Sequence, residues 1–161
     1  MKPVLAAGAA ALAALLHIAP ILADGEHGGY AHDDAFSTGE PGDAKKPARI
    51  VQVVMTEAND KMLFTPGKVA IRKDEQIRFV LRNSGALDHE FVLATTAENL
   101  KHAQSMKMNP DMEHDDPNAR KLAPGKTGDL VWKSTKAGEF EYSCLIPGHR
   151  EAGMIGTVVV K

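Results

Sequence analysis

The chain of 161 residues contains one cysteine, Cys144, and it lies in a short segment that also carries His149 and Met154. Residues 144–149 read Cys-Leu-Ile-Pro-Gly-His, so one loop after an expected strand supplies a thiol, an imidazole and, shortly afterwards, a thioether. Thiolate and thioether are soft donors suited to Cu(I), and imidazole also binds Cu(II). Completed by a second histidine from elsewhere, these groups form the ligand set of a mononuclear electron-transfer copper site.

Strand periodicity indicates where the second histidine comes from. Alternate residues of a strand share one face, so Cys144 points inward with the two aromatic residues of the segment 139–144. His89 shares its face with Phe91 and Leu93, and we predict it as the fourth ligand. The competing interpretation is a hydrogen-bonded core histidine, which is common on an apolar face.

The predicted roles differ among the four ligands. Cys144 is the strong thiolate ligand, His89 and His149 complete a trigonal set, and Met154 is the longer axial ligand. Methionine also commonly fills gaps in a core, so packing is the alternative interpretation for Met154.

The N-terminal residues have the features of an export signal. Lys2 precedes an apolar, alanine-rich stretch over 4–16, and Ile-Leu-Ala at 21–23 suits cleavage, so we predict a signal peptide over 1–23. An uncleaved anchor is the alternative, although the apolar run is short and is interrupted by Pro20. A single cysteine in an exported chain cannot form an internal disulfide and is either a free thiol or a ligand.

Composition divides the remainder into two parts. Residues 24–47 are rich in Gly, Asp, His and Pro, which predicts an extended arm. Residues 48–161 show short apolar stretches separated by turn signals, the pattern of an all-β sandwich. With 19 basic and 21 acidic residues and no basic stripe, the chain shows no sign of nucleic-acid binding.

Seven strands and one helix are predicted in the second part. The strands cover 49–56, 68–72, 76–83, 89–94, 127–133, 139–144 and 155–161. Thr95 and Glu98 have the spacing of a helix cap. The apolar series of a short helix over 95–108 is Ala97, Leu100, Ala103 and either Met106 or Met108. A polar loop over 109–119 follows.

The ligand loop resembles that of the cupredoxins azurin, pseudoazurin and plastocyanin, and His89 matches their upstream histidine. The resemblance covers about residues 48–161 and implies a cupredoxin-like Greek-key β-sandwich holding one type 1 copper, here with a helical insertion and an N-terminal arm. Two features depart from the family pattern. Four residues separate His149 from Met154, against three in azurin, and Glu90 follows His89 where relatives often place Asn or Ser.

Residues outside this loop resemble a narrower group. Residues 32–36, the helix with its Met and His residues, and residues 110–118 are similar to the exported copper-tolerance cupredoxins of proteobacteria, the CopI-type cuproproteins. This resemblance implies a periplasmic protein that handles copper, with copper ions and a redox or copper-handling protein as partners. Because the apolar run over 4–16 is short, no stable membrane insertion is expected once the signal is removed.

The alternative function is a soluble electron carrier. Leu145, Ile146, Pro147 and Ala152 could form an apolar docking patch around His149. An enzyme is not expected, because a multicopper oxidase needs His-x-His pairs and a Cys-His hydrolase needs a third orienting residue. A weak cuprous-oxidising activity is compatible with the copper-tolerance role.

Further soft donors make candidate secondary copper sites. They are His102, Met106, Met108, Met112, His114, His27 and His32. The competing interpretation is that the methionines pack the helix on the sandwich and the histidines are solvated.

Overall fold

The computed structural model describes residues 36–109 and 116–161, which form two five-stranded sheets and one helix. The strands are β1 (Glu40–Pro41), β2 (Arg49–Ala58), β3 (Lys61–Thr65), β4 (Lys68–Ile71), β5 (Gln76–Asn83), β6 (His89–Ala94), β7 (Ala119–Leu122), β8 (Thr127–Lys133), β9 (Gly138–Ser143) and β10 (Ile155–Val160). The helix α1 (Thr96–Met108) lies between β6 and β7.

The strand order is β1-β8-β5-β2-β3 in one sheet and β4-β10-β9-β6-β7 in the other. Two pairs are parallel, β2 with β5 and β4 with β10, and the other pairs are antiparallel. Most neighbours within a sheet are not consecutive in the chain, so the connections cross between sheets, as in Greek-key sandwiches. The predicted all-β sandwich with a helical insertion is confirmed.

The core lies between the sheets and is built from alternate residues of the strands. Phe79 and Leu81 of β5 are fully buried, as the alternation predicts. Phe91 of β6 stacks on Tyr142 of β9 with ring centroids 5.1 Å apart. Because Cys144 continues the inward-facing series of β9, core packing also sets the direction of its side chain.

The predicted strands agree with the structure to within two residues at each end, and those over 76–83, 89–94 and 127–133 coincide with β5, β6 and β8. The strands β1, β3 and β7 were not predicted. Asn59 and Asp60 both adopt positive φ, 51° and 60°, and form the two-residue turn between β2 and β3. The charged strand β7 begins at the end of the predicted polar loop over 109–119, which otherwise lies partly outside the described residues.

The helix begins where its cap predicts. The hydroxyl of Thr95 accepts the backbone N–H of Glu98 at 3.2 Å, and the Glu98 carboxylate accepts the backbone N–H of Thr95 at 2.8 Å. This reciprocal pair satisfies two N–H groups at the helix N-terminus, which otherwise have no partner.

The buried face of α1 agrees with the predicted one only in its last turns. Met106 is buried, as one alternative of the prediction has it, but Ala97 and Leu100 are exposed and Asn99 is buried in their place. The prediction assumed an apolar contact along the whole helix. Its first turns instead contact the outer face of β9 through hydrogen bonds from Asn99.

Residues 36–47 are the described part of the arm predicted over 24–47, and they lie against the sandwich. Phe36 packs edge-on against Trp132 with ring centroids 5.2 Å apart, and Nε1 of Trp132 donates to the carbonyl of Thr38 at 3.3 Å. The predicted signal peptide over 1–23 and the rest of the arm are outside the described residues. Within the described ranges, no helix has the length and apolar character needed to cross a membrane.

Candidate metal centre

Three buried side chains from different elements meet at one end of the sandwich. His89 is the first residue of β6, Cys144 directly follows β9, and His149 lies in the next turn. Nδ1 of His149 is 3.3 Å from Sγ of Cys144 and 3.3 Å from Nδ1 of His89. All three atoms lie within 4.8 Å of one another, and no other group of this kind occurs among residues 36–109 and 116–161.

This donor set fits a copper ion. Metal–imidazole bonds are about 2.0–2.1 Å long, so two nitrogens 3.3 Å apart can bind the same ion. Structural zinc sites ordinarily have four strong nitrogen, sulfur or carboxylate ligands. Here two imidazoles and one thiolate lie near a methionine, the combination found in blue copper sites.

Backbone groups hold the sulfur of Cys144. The N–H of Glu90 donates to Sγ at 3.3 Å, which links the strand after His89 to the ligand loop whatever side chain stands at position 90. Burial raises the pKa of the Cys144 thiol to about 12, although the N–H groups of Glu90 and Ile146 act in the opposite direction. The thiol therefore keeps its proton at neutral pH until a metal displaces it.

The loop between Cys144 and Met154 is a series of tight turns. The N–H of His149 donates to the carbonyl of Ile146 at 3.0 Å, and Gly148 has a φ of 91°, which L side chains rarely adopt. The N–H of Met154 returns to the carbonyl of His149 at 3.1 Å, so the four intervening residues fit within one wide turn.

Met154 is brought close to the cluster by its backbone. Its carbonyl accepts the N–H of Cys144 at 3.1 Å, its side chain is fully buried, and β10 begins at the next residue. Met154 is therefore tied to both Cys144 and His149 through main-chain hydrogen bonds.

The electrostatic environment of His149 favours the neutral ring. Burial and the neighbouring His89 hold the pKa of His149 below its usual range, while the carboxylates of Glu57 and Asp88 act in the opposite direction. A neutral imidazole presents a lone pair, the form that binds a metal.

The second nitrogen of His89 lies beside a carboxylate. Nε2 is 2.9 Å from Oε1 of Glu57. Glu57 lies on β2, two residues after the inward-facing Met55. Burial by itself raises the pKa of Glu57, but the backbone N–H groups of Ala86 and Leu87 and the nearby His89 hold it below its usual range.

The segment before His89 is anchored by the fully buried Asn83. Its Nδ2 donates to the carbonyls of Leu87 at 2.7 Å and Leu122 at 2.8 Å, and its Oδ1 accepts the N–H of Gly85 at 2.9 Å. These bonds fix the chain that leads into β6 and hence the backbone position of His89.

A buried ion pair holds the other side of the ligand loop. Arg150 donates to both oxygens of Glu141 on β9 and to the hydroxyl of Ser143 at 2.7 Å. From α1, Asn99 and Thr96 donate to the same carboxylate at 3.1 and 3.3 Å. The residue after His149 is thus tied to the strand that carries Cys144 and to the helix.

The last turns of α1 also contact the loop. Met106 belongs to a buried cluster that includes Val92 and Leu145, and Lys107 forms a 2.6 Å ion pair with Glu151. The expectation that Leu145 contributes to an exposed apolar patch is therefore wrong, because that side chain packs in the cluster beneath the helix.

The candidate secondary donors are placed differently from one another. Met106 is buried, His102 is half-buried, and Met108 is 75% exposed at the end of the helix. The remaining candidates, Met112, His114, His27 and His32, lie outside the described residues.

Sequence reasoning missed Glu57, Asn83 and the pair Glu141–Arg150. A signal for Glu57 existed, because it continues the inward series of Val53 and Met55, but the predicted strand ended at residue 56. Nothing local distinguishes Glu141, since a charged residue on the outer face of a strand is ordinarily solvated. Its burial depends on the helix that covers it.

Comparisons with known proteins agree with this geometry. A family model described as copper binding proteins of the plastocyanin/azurin family matches residues 51–161. The chain is 52% identical over 134 residues to the copper-resistant cuproprotein CopI of Rubrivivax gelatinosus, with 83% of this chain and 79% of that protein covered. It is 34% identical over 160 residues to the protein of the same name from Pseudomonas aeruginosa, with 81% and 85% covered. Among solved structures, auracyanin B superposes with a TM-score of 0.61 at 25% identity, covering 76% of this chain and 96% of that one.

Proposed function

The chain belongs to the plastocyanin/azurin family of copper-binding proteins and groups with its CopI cuproproteins, and from this we propose a role as a periplasmic copper-tolerance protein that cycles one copper between Cu(I) and Cu(II). The observation that carries the proposal is the convergence of His89, Cys144 and His149, with ring nitrogens 3.3 Å apart. Among the described residues, these are the side chains positioned to bind one copper.

We assign four residues to the copper. Cys144 supplies the thiolate, His89 and His149 supply the imidazoles, and Met154 supplies the weak axial donor. A copper ion held there supplies one-electron chemistry. The turn hydrogen bonds around His149 hold its ring beside Cys144, so a copper bound there would change oxidation state with little movement of these side chains.

The copper-tolerance role is supported by two observations. Relatives that are 52% and 34% identical to this chain are named copper-resistant cuproproteins. In addition, the end of α1 lies beside the ligand loop, as the ion pair of Lys107 with Glu151 shows. The residue after Lys107 is Met108, whose side chain is exposed. We propose that Met108, together with Met112 and His114 farther along the chain, binds a second, weaker Cu(I).

An export route fits the same role. The predicted signal over 1–23 would deliver the chain to the periplasm. There the protein would bind copper away from the reduced thiols of the cytoplasm. The proposed activity is binding and one-electron exchange rather than catalysis on an organic substrate.

Electron transfer to a protein partner is the second candidate function. His149 is 8% exposed, and the adjoining Pro147 and Gly148 are exposed. Such a surface suits brief docking of a redox partner. With Leu145 buried, the apolar surface is smaller than the sequence indicated.

Copper titration of the protein, followed by its visible spectrum, tests the main site. We expect an intense thiolate-to-copper band that saturates at one equivalent of Cu(II) and is absent in Cys144→Ser. A wild-type protein without this band would overturn the assignment of Cys144.

Copper growth assays separate the two functions. Deletion of the gene should lower the copper concentration that cells tolerate, and the wild-type gene should restore it, whereas Cys144→Ser should not. Normal tolerance in the deletion strain, together with fast saturable reduction by a periplasmic cytochrome, would favour the carrier instead.

A further inference from the structure

A carboxylate lies behind one of the proposed ligands. Oε1 of Glu57 is 2.9 Å from Nε2 of His89, while Nδ1 of the same ring is 3.3 Å from Nδ1 of His149. The two nitrogens of His89 therefore face different partners, the donor cluster on one side and a carboxylate on the other.

The Glu57 carboxylate is held independently of His89. Its two oxygens accept the backbone N–H groups of Ala86 and Leu87, each at 3.0 Å. Gly85 lies against the same group, and a Cβ at that position would come within 2.1 Å of Oε2. The carboxylate is thus a preformed acceptor on β2, held by the segment that leads to His89.

His89 needs such an acceptor. Its Nε2 is buried and has no well-aligned hydrogen bond among the described residues, although the 2.9 Å separation from Glu57 is a hydrogen-bond distance. A buried N–H without an acceptor is unfavourable, and the Glu57 carboxylate is the acceptor within reach of Nε2. An imidazole that binds a metal through Nδ1 carries its proton on Nε2 and usually donates it to a carboxylate or carbonyl.

We propose that Glu57 is a positioning residue of the copper centre, which accepts the Nε2 proton of His89 and holds the ring with its Nδ1 lone pair toward Cys144 and His149. The carboxylate makes the imidazole a stronger donor. Its negative charge also stabilises the more highly charged Cu(II) relative to Cu(I). The inference rests on the proposed function, because it requires copper at His89.

Glu57→Gln tests this role, since glutamine keeps the side-chain length and one acceptor oxygen but removes the charge. We expect the affinity for Cu(II) to fall about tenfold and the affinity for Cu(I) to change little. For a one-electron couple this raises the reduction potential by about 59 mV.

The matched control is Glu75→Gln. Like Glu57, Glu75 accepts a backbone N–H, from Arg72 at 2.9 Å, and it also pairs with Arg49. It directly precedes the start of β5, whereas Asn83 and the segment that leads to His89 are at the other end of that strand. This variant should lose stability and keep the wild-type potential.

The outcomes are distinct. If Glu57→Gln keeps the thiolate band and has the same reduction potential as Glu75→Gln, then Glu57 only anchors the loop that contains Ala86 and Leu87, and the proposal is wrong. A wild-type protein with no thiolate band would instead refute the copper site itself.

If Glu57→Gln does not fold, ¹⁵N NMR of the wild-type Cu(I) protein tests the proposal. A proton on Nε2 of His89 that exchanges slowly with water supports the proposal, and an unprotonated or rapidly exchanging Nε2 overturns it.

Discussion

Arg150 donates to both carboxylate oxygens of Glu141, and this pair joins the ligand loop to β9, the strand that leads to Cys144. Arg150 directly follows His149 in the chain, and Glu141 lies three residues before Cys144. The two side chains are only 12% and 9% exposed. Two proposed ligands on either side of the loop are therefore held at a set separation by one ion pair.

Replacement of Arg150 by methionine should strongly destabilise the protein. It leaves the Glu141 carboxylate buried without its counter-ion, and the loss of one partner of a buried pair lowers the free energy of unfolding by about 3 kcal/mol or more. Denaturant unfolding of the metal-free protein measures the change.

Lys107→Met is the control for that variant, because it removes the exposed ion pair with Glu151, whose side chains are 55% and 52% exposed. A loss below about 1 kcal/mol is expected there. Equal losses in the two variants would show that burial of the Arg150 pair contributes nothing.

Gly148→Ala should strain the turn that presents His149. Nothing lies within 4 Å of a Cβ at this position, so the effect comes only from the φ of 91° and amounts to about 1–3 kcal/mol. Thermal unfolding of the metal-free protein reports the strain, and the visible spectrum of the copper form reports any displacement of His149.

Gly125→Ala is the matched substitution. Gly125 has a φ of 74° and equally open surroundings, but it lies in the turn between β7 and β8. Both variants should lose stability, and only Gly148→Ala should alter the copper spectrum. A spectrum changed equally in both would contradict a specific role for the Gly148 turn.

The metal-free protein should lose stability in alkaline solution through Cys144. An ordinary thiol ionises near pH 8.5, whereas burial raises the pKa of Cys144 in the folded chain to about 12. Between these values the unfolded chain releases a proton that the folded chain keeps, so stability falls as pH rises, by about 1.4 kcal/mol per pH unit. Below about pH 8 this contribution is fully present. Denaturant unfolding at pH 8, 9 and 10 with chelator should show this slope in excess of that of Cys144→Ser, and parallel trends would contradict the raised pKa.

Copper binding at neutral pH should release the Cys144 proton. Because the thiol is protonated there, its contribution raises the apparent Cu(II) affinity about tenfold per pH unit between pH 7 and 8. The lowered pKa of His149 means that its ring adds no proton release in this window. Chelator competition at several pH values measures the slope, and Cys144→Ser should lack this unit of proton release. Equal release by both proteins would show that the thiolate does not bind the metal.

Local signals in the sequence predicted much of the fold. The period of two in β5 and β9, the cap at Thr95 and the Pro-Gly turns each depend on a few adjacent residues, and the elements they predict are present. The loop from Cys144 to Met154 likewise carries three donors within eleven positions, so its chemistry can be interpreted before any long-range contact is known.

The contacts of Glu141 and Leu145 with distant segments escaped prediction for a common reason. A strand pattern tells which face a side chain occupies but not which element lies opposite that face. The strand pattern predicts that the Glu141 carboxylate points outward into solvent, but in the structure α1 and Arg150 cover it. Leu145 was predicted as an exposed loop residue, but in the structure it packs with Met106 in a buried cluster.

The sequence by itself determined the donor chemistry, the two-sheet class and the place of the helical insertion, because each arises from residues close together in the chain. Only the tertiary structure decided that Nδ1 of His89 faces His149 and that Glu57 lies beside Nε2 of the same ring. Those contacts join β2, β6 and the loop after β9, and they depend on the parallel pairing of β2 with β5 and on the packing of the two sheets. The physical reason is that the free energy of strand pairing and core burial is shared over the whole sandwich, so no single segment encodes which distant residues it brings together.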